Sequence, residues 1–103
     1  MKIGIDLVRI SRFGQMSDHF AERMLTSEEK EEYLLLPEDK KNVYLAGRWA
    51  AKEAIFKATG TSDYLKFSVL HDESGRPYVK GRSDMDISIS HDGDYATAAV
   101  IVF

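Results

Sequence analysis

The sequence predicts an α+β protein in which one N-terminal strand is followed by a helical block with one long helix and then by antiparallel strands in two hairpins. Three observations predict this order. The chain begins with a run rich in β-branched residues. In its middle, apolar residues recur at intervals of three and four, and residues typical of helix ends flank these stretches. After Gly60, strand-like segments are separated by turns that contain glycine. No repeat, low-complexity tract or linker divides residues 1–103, so a single domain is expected.

The composition narrows the classes of function. The 103 residues are 44% hydrophobic, as in globular proteins, and the net charge of −3 provides no basic field for nucleic acid. The absence of cysteine excludes disulfides, thiolate metal sites and a cysteine nucleophile. No unbroken stretch of about 18 apolar residues is present, so the expectation is a soluble cytoplasmic protein without a membrane partner.

The N-terminal part should contain a strand and a broken helix. The run "IGIDLVRI" (3–10) is typical of a strand, although it contains Asp6. The following "SRFGQMSDHFAERML" spaces its apolar residues by three and four, with Gly14 as the weak point of the helix. The apolar positions are Phe13, Met16, Phe20 and Met24, and the polar face would carry Arg12, His19 and Arg23.

Two further helices are predicted from their ends. Thr26 and Glu29 have the spacing of a capping box, and the helix that they begin should stop near Leu36 because Pro37 disfavours helical geometry before it. The longest helix should run from about residue 38 to 59. It begins with acidic residues and is followed by Gly60, which suits a helix C-terminus.

The last forty residues are typical of two β-hairpins. The segment "YLKFSVLHDESGRPYVKG" places Gly75 in the first turn, and "MDISISHDGDYATAAVIVF" places Asp92 and Gly93 at the second. His91 therefore falls at the end of a strand, where a histidine is usually a surface residue. His19 and His71 show no metal-ligand spacing with it, which argues against zinc.

The long helix carries Trp49, Glu53 and Lys57 at intervals of four. Taken alone, Glu53 and Lys57 predict an ordinary helix ion pair worth roughly 0.3 kcal/mol, and Trp49 predicts a core anchor. Asp6 alters this balance, because an unpaired acid buried in an apolar strand costs about 2 to 7 kcal/mol. A structural cation could compensate Asp6, but Asp6 and Glu53 could also be the protein ligands of a Mg²⁺ ion. Phosphate-binding cations would then come from Arg48, Lys52 and Lys57 on the same helix.

Five segments, in order and over nearly the whole chain, resemble the small holo-acyl-carrier-protein synthases, which are short-type 4′-phosphopantetheinyl transferases. The segments are "GIDLVRISRF", "FAERMLTSEE", "YLAGRWAAKEAIFKA", "SGRPYV" and "SISHDGDYATAAV". The resemblance implies the 4′-phosphopantetheinyl transferase fold. It also implies transfer of 4′-phosphopantetheine from coenzyme A to a serine of an apo acyl carrier protein, with release of 3′,5′-ADP, in fatty-acid biosynthesis or a related carrier pathway.

The same resemblance implies roles for individual residues. Asp6 and Glu53 would bind Mg²⁺, or Mn²⁺ in its place, and Lys57 and His91 would contact the phosphates of coenzyme A, as would Arg48. Catalysis would rest on Glu53, Lys57 and His91, and the serine proton would go to a metal-bound water, Glu53 or His91. The resemblance also implies a homotrimer, and it implies carrier docking at Arg12, Met16, Phe20 and Arg23.

The chain departs from the family pattern in several places. Arg9 stands where an acid is common, and the segments between Phe13 and Phe20 and after Gly60 are a few residues short. These departures concern carrier docking more than metal binding. The alternative is therefore a non-catalytic module that binds coenzyme A or a nucleotide phosphate and has a diverged docking surface. A purely structural assembly domain is the third interpretation.

Overall fold

The structure, a computed structural model, describes residues 1–15 and 18–103. Strand β1 (Lys2–Arg9) leads through a 3-10 helix (Ile10–Gln15) to helices α1 (Asp18–Met24), α2 (Ser27–Leu34) and α3 (Glu38–Thr59). Strands β2 (Val69–His71), β3 (Pro77–Val79), β4 (Met85–Asp92) and β5 (Tyr95–Val102) follow. This order confirms the predicted strand, helical block and two hairpins.

The helix ends lie close to the predicted positions. Thr26 caps α2 with both hydrogen bonds of the capping box, Glu29 being its partner, although α2 ends at Leu34, two residues before the predicted stop. Helix α3 has the predicted bounds, and Gly60 ends it with a left-handed φ of 80°. In the described part of the region between β1 and α2, the predicted broken helix is a 3-10 helix followed by α1.

The strands form two antiparallel sheets. The larger has the order β1-β5-β4, and the smaller contains only β2 and β3, three residues each. In the second hairpin Asp92 pairs with Tyr95, so the two turn residues are Gly93 and Asp94, one position later than predicted. Because β5 is the central strand, the edges of the larger sheet are β1 and β4.

Helix α3 packs on one face of the larger sheet, and the core lies between them. The contact requires small residues: a Cβ at Gly4 of β1 would lie 1.9 Å from the carbonyl oxygen of Ala54. Alternation along β1 then directs Gly4, Asp6 and Val8 towards the helix. None of the helices in residues 1–15 and 18–103 is long and apolar enough to cross a membrane.

The opposite face of β1 is apolar but uncovered. Ile3, Ile5 and Leu7 are 71%, 63% and 65% exposed. Strand β5 is paired on both sides, and much of the exposed apolar area belongs to β1.

Candidate active site and its two charged clusters

Asp6 and two residues of α3, Glu53 and Lys57, form a group that we call the open cluster. The close approach of β1 to α3 brings the Lys57 ammonium 3.1 Å from Asp6 Oδ1 and 3.0 Å from the carbonyl oxygen of Ile5. The second oxygen of Asp6, Oδ2, is buried and has no hydrogen-bond partner in the structure. Leaving such an acceptor unsatisfied is costly, so this oxygen suits a cation or a hydrogen-bond donor from outside the chain.

Glu53 lies one helical turn before Lys57, but the expected ion pair between them is not formed. Instead, Glu53 Oε1 accepts a 2.9 Å hydrogen bond from the hydroxyl of Tyr64. The Tyr64 ring packs on Trp49, with ring centroids 5.1 Å apart. Trp49 is partly buried against the core, in agreement with its interpretation as an anchor. The predicted ion pair between Glu53 and Lys57 is therefore wrong. Lys57 instead pairs with Asp6, as the alternative of a structural cation for Asp6 predicted.

The donors of the open cluster suit a hard divalent cation. Asp6 offers an unsatisfied carboxylate oxygen, and Glu53 supplies a second carboxylate one turn from the lysine that contacts Asp6. Within the described residues no group of three or more metal-binding side chains occurs. Mg²⁺ fits this arrangement, because it commonly takes one or two carboxylates and fills its other positions with water and substrate phosphate.

A second group, which we call the buried cluster, consists of Glu29, Glu32, Arg48 and Lys52. The Lys52 ammonium is buried and donates to Glu29 Oε1 at 2.6 Å and to the carbonyl oxygens of Met24 and Tyr64 at 2.8 and 2.6 Å. Burial lowers the pKa of Lys52, and the Glu29 carboxylate opposes that shift. All three donors of Lys52 are used inside the protein. The prediction that Lys52 is a phosphate-binding cation is therefore wrong.

Arg48 belongs to the same cluster but also borders open space. Its Nε donates to the carbonyl oxygen of Val69, and its Nη2 contacts Glu32 Oε1 at 3.3 Å and His71 Nδ1 at 3.0 Å. A cavity of about 480 Å³ lies beside it, lined in part by Arg48, His71 and His91. Arg48 is thus a cation in the wall of a cavity, and its contact with coenzyme A stays a prediction.

His91 does not join the open cluster in this chain. It is exposed near the end of β4, whereas Asp6 lies on β1, with β5 between them. Asp6 pairs with Ala98, and Ala98 pairs with Ile89, so His91 is two residues further along the sheet. Strand spacings place the two Cα atoms on the order of 12 Å apart. Lys57 is brought to Asp6, and Glu53 lies one helical turn from Lys57, while His91 shares a cavity with Arg48.

The residues predicted to dock a carrier have mixed environments. Arg12 and Arg23 are exposed, which suits docking. Phe20 is partly buried and packs against Phe13 and Trp49, so at least part of its side chain belongs to the core. Met16 lies outside the described residues. Tyr64 was missed from the sequence, where its only signal is an aromatic residue in the short segment after Gly60.

Comparisons with known proteins identify the family of the chain. The model of the 4′-phosphopantetheinyl transferase superfamily matches residues 2–100. The holo-[acyl-carrier-protein] synthase of Bacillus subtilis is 37% identical over 112 residues, covering 97% of this chain and 93% of that protein. The synthase of onion yellows phytoplasma is 40% identical over 116 residues, with coverages of 97% and 91%.

A solved structure shows the same fold. It is that of a holo-(acyl-carrier-protein) synthase from Bacillus anthracis in complex with CoA (3′,5′-ADP), which matches with a TM-score of 0.89 and 35% identity. The match covers 98% of this chain and 94% of the solved one. With a family model that spans almost all of its residues and relatives of this identity, the chain belongs to the 4′-phosphopantetheinyl transferase superfamily.

Proposed function

We propose that this protein is a holo-[acyl-carrier-protein] synthase. It transfers the 4′-phosphopantetheine group from coenzyme A to a serine of an apo acyl carrier protein of fatty-acid biosynthesis or a related pathway. The observation that carries the proposal is the buried, unsatisfied oxygen of Asp6 beside Lys57 and one turn from Glu53, in a member of this superfamily. A module that only binds has less need of two acids at such a point.

The reaction forms a bond from the serine oxygen to the phosphorus that bears pantetheine. It breaks the bond between that phosphorus and the bridging oxygen, which leaves with 3′,5′-ADP. Asp6 and Glu53 would hold Mg²⁺, or Mn²⁺ in its place, and the ion would neutralise charge on the phosphate oxygens. The Lys57 side chain is 51% exposed, so its ammonium can turn from Asp6 to a bound phosphate. Glu53 and His91 are this chain's candidate acceptors of the serine proton.

Mass spectrometry of the carrier tests this function directly. The protein is incubated with apo carrier, coenzyme A and Mg²⁺, and the carrier should gain the mass of one phosphopantetheine group. A carrier whose acceptor serine is replaced by alanine is the control and should gain nothing. Coenzyme A binding without any transfer would support the non-catalytic module instead, and neither binding nor transfer would support a structural role.

We also propose that the working unit is a homotrimer with sites between subunits. Two features support it. The exposed apolar face of β1 would be stabilised by burial against another subunit, and His91 lies on the opposite edge strand from Asp6 within one protomer. Closed rings bury such a face without leaving open edges. A neighbouring subunit could then bring its His91 to the open cluster.

Mixing two inactive variants tests the shared site. Glu53→Ala and His91→Ala proteins are dissociated mildly and reassembled together, and part of the activity should return because some interfaces receive both intact halves. Light scattering measures the size of the assembly, and each variant reassembled alone is the control. An active monomer would refute the trimer, and mixtures that stay inactive despite proven subunit exchange would argue against a site divided in this way.

Carrier docking is proposed at the 3-10 helix and α1. Arg12 is exposed there, and a positive charge at the rim of an interface mainly increases the association rate with an acidic partner. Reversal in Arg12→Glu should raise the KM for the carrier about three- to tenfold and leave the KM for coenzyme A unchanged. Lys30→Glu, the same change of charge on α2, is the matched control. An unchanged KM for the carrier in Arg12→Glu would contradict the docking site.

A further inference from the structure

We propose that Tyr64 is a positioning residue that orients the Glu53 carboxylate for metal binding, an inference that rests on the proposed function. Its hydroxyl donates to Glu53 Oε1 at 2.9 Å. Neither the five motif segments nor any spacing in the sequence marks this tyrosine. It lies in the segment after Gly60, which is shorter than the family pattern.

Tyr64 is held from three directions. Asp63 accepts a hydrogen bond from the backbone N–H of Leu65 at 3.0 Å, which fixes the turn in which Tyr64 lies. The buried Lys52 ammonium donates to the Tyr64 carbonyl oxygen at 2.6 Å, and the ring packs on Trp49. The hydroxyl therefore reaches Glu53 from an immobilised frame, which is the arrangement expected of a group that orients a metal ligand.

The hydrogen bond restricts what Glu53 can do. Without it, the carboxylate could turn to Lys57, four residues later on the same helix and in the orientation that favours an ion pair. With it, Oε1 is occupied and Lys57 remains with Asp6. Tyr64 thus keeps both Glu53 and Lys57 available for their proposed roles.

Replacement of Tyr64 by phenylalanine removes the hydroxyl and keeps the ring. Mn²⁺ binding to the complex with coenzyme A is followed by the electron paramagnetic resonance signal of free Mn²⁺, after subtraction of binding to coenzyme A alone. Tyr64→Phe should weaken Mn²⁺ binding about tenfold, the loss typical of a removed outer-shell partner. Tyr33→Phe is the matched control, because Tyr33 also packs on an aromatic residue, Tyr44, but lies away from the open cluster.

Transfer kinetics give a second readout. In Tyr64→Phe the rate should fall at low Mg²⁺ and recover at saturating Mg²⁺, a recovery that a folding defect would not show. Fluorescence of Trp49, the single tryptophan, and the melting temperature check that the ring contact and fold persist. Unchanged Mn²⁺ affinity in a folded Tyr64→Phe protein would overturn this inference alone. A wild-type protein that binds no Mn²⁺ would overturn the metal site and the inference together.

Discussion

The open cluster and the buried cluster both use charged residues of α3, but in opposite ways. Lys52 and Glu53 are neighbours in sequence, yet Lys52 is buried with three acceptors while Glu53 is partly exposed with one donor from Tyr64. Arg48 and Lys57 differ in the same sense, since Arg48 is buried and Lys57 is half exposed. A charged group whose hydrogen bonds are all made inside the protein, such as Lys52, stabilises the fold. A charged group with hydrogen-bonding capacity left over, such as Asp6, is available to a ligand.

The largest expected effect concerns the acids of the open cluster. Asp6→Ala or Glu53→Ala should lower transfer by at least about 10³-fold, because the metal and its charge stabilisation are worth several kcal/mol. The melting temperature should stay the same or rise, since Asp6 Oδ2 is unsatisfied and the two carboxylates repel each other without metal. Glu38→Gln, at the exposed start of α3, is the control.

Two results would contradict the assignment of Asp6 and Glu53 as metal ligands. A wild-type rate in Asp6→Ala or Glu53→Ala at saturating Mg²⁺ would show that the two acids do not bind a required ion. A large drop in the melting temperature of Asp6→Ala would show that Asp6 stabilises the fold, as the residues of the buried cluster do. The two clusters would then not differ in function.

The next prediction concerns the free energy of unfolding, which should respond differently to substitution of Lys52 and of Lys57, both on α3. Lys52→Met should lower the free energy of unfolding by about 3 to 5 kcal/mol, because Glu29 would remain buried without its cation. Lys57→Met should cost less than Lys52→Met, since Lys57 is half exposed and water can approach Asp6 in its place, whereas Glu29 is fully buried. Transfer should show the reverse order after correction for the folded fraction. Urea unfolding of both variants measures the difference.

Equal losses of stability in the two lysine variants would contradict the division into an open and a buried cluster. Lys52→Met combined with Glu29→Met gives a further control. The double variant should recover much of the stability, because replacing both partners of a buried ion pair by apolar groups leaves no unpaired charge.

The ends of α3, the capping box at Thr26 and the two hairpins could be predicted from sequence because each depends on residues close together in the chain. The environment of Lys52 could not. Its partner Glu29 lies 23 positions earlier, and only the packing of α2 on α3 brings the two side chains together. The joint role of Asp6 and Glu53 stays a prediction, which the residue types allow and the resemblance favours. The contact between Tyr64 and Glu53 has no local signature either, because the two residues lie 11 positions apart and meet only through the turn that follows α3.

The smallest effect concerns His71, at the edge of the buried cluster. Burial and the Arg48 guanidinium lower its pKa, while Glu32 and Asp72 oppose the shift, so the folded protein favours the neutral ring. Its Nδ1 lies 3.0 Å from Arg48 Nη2, which suits an unprotonated acceptor.

The unfolded chain, with a histidine pKa of about 6.5, therefore binds more protons than the folded protein in the window just below that pH. Stability should fall as the pH drops from 7 to 5, and His71→Asn, which keeps an acceptor for Arg48, should show a smaller fall. The difference should stay below about 1 kcal/mol because the ring is partly exposed and screened. Urea unfolding across this range, with the exposed His19→Gln as control, measures it. An identical pH dependence in His71→Asn and wild type would show that even the edge of the buried cluster tolerates an added charge.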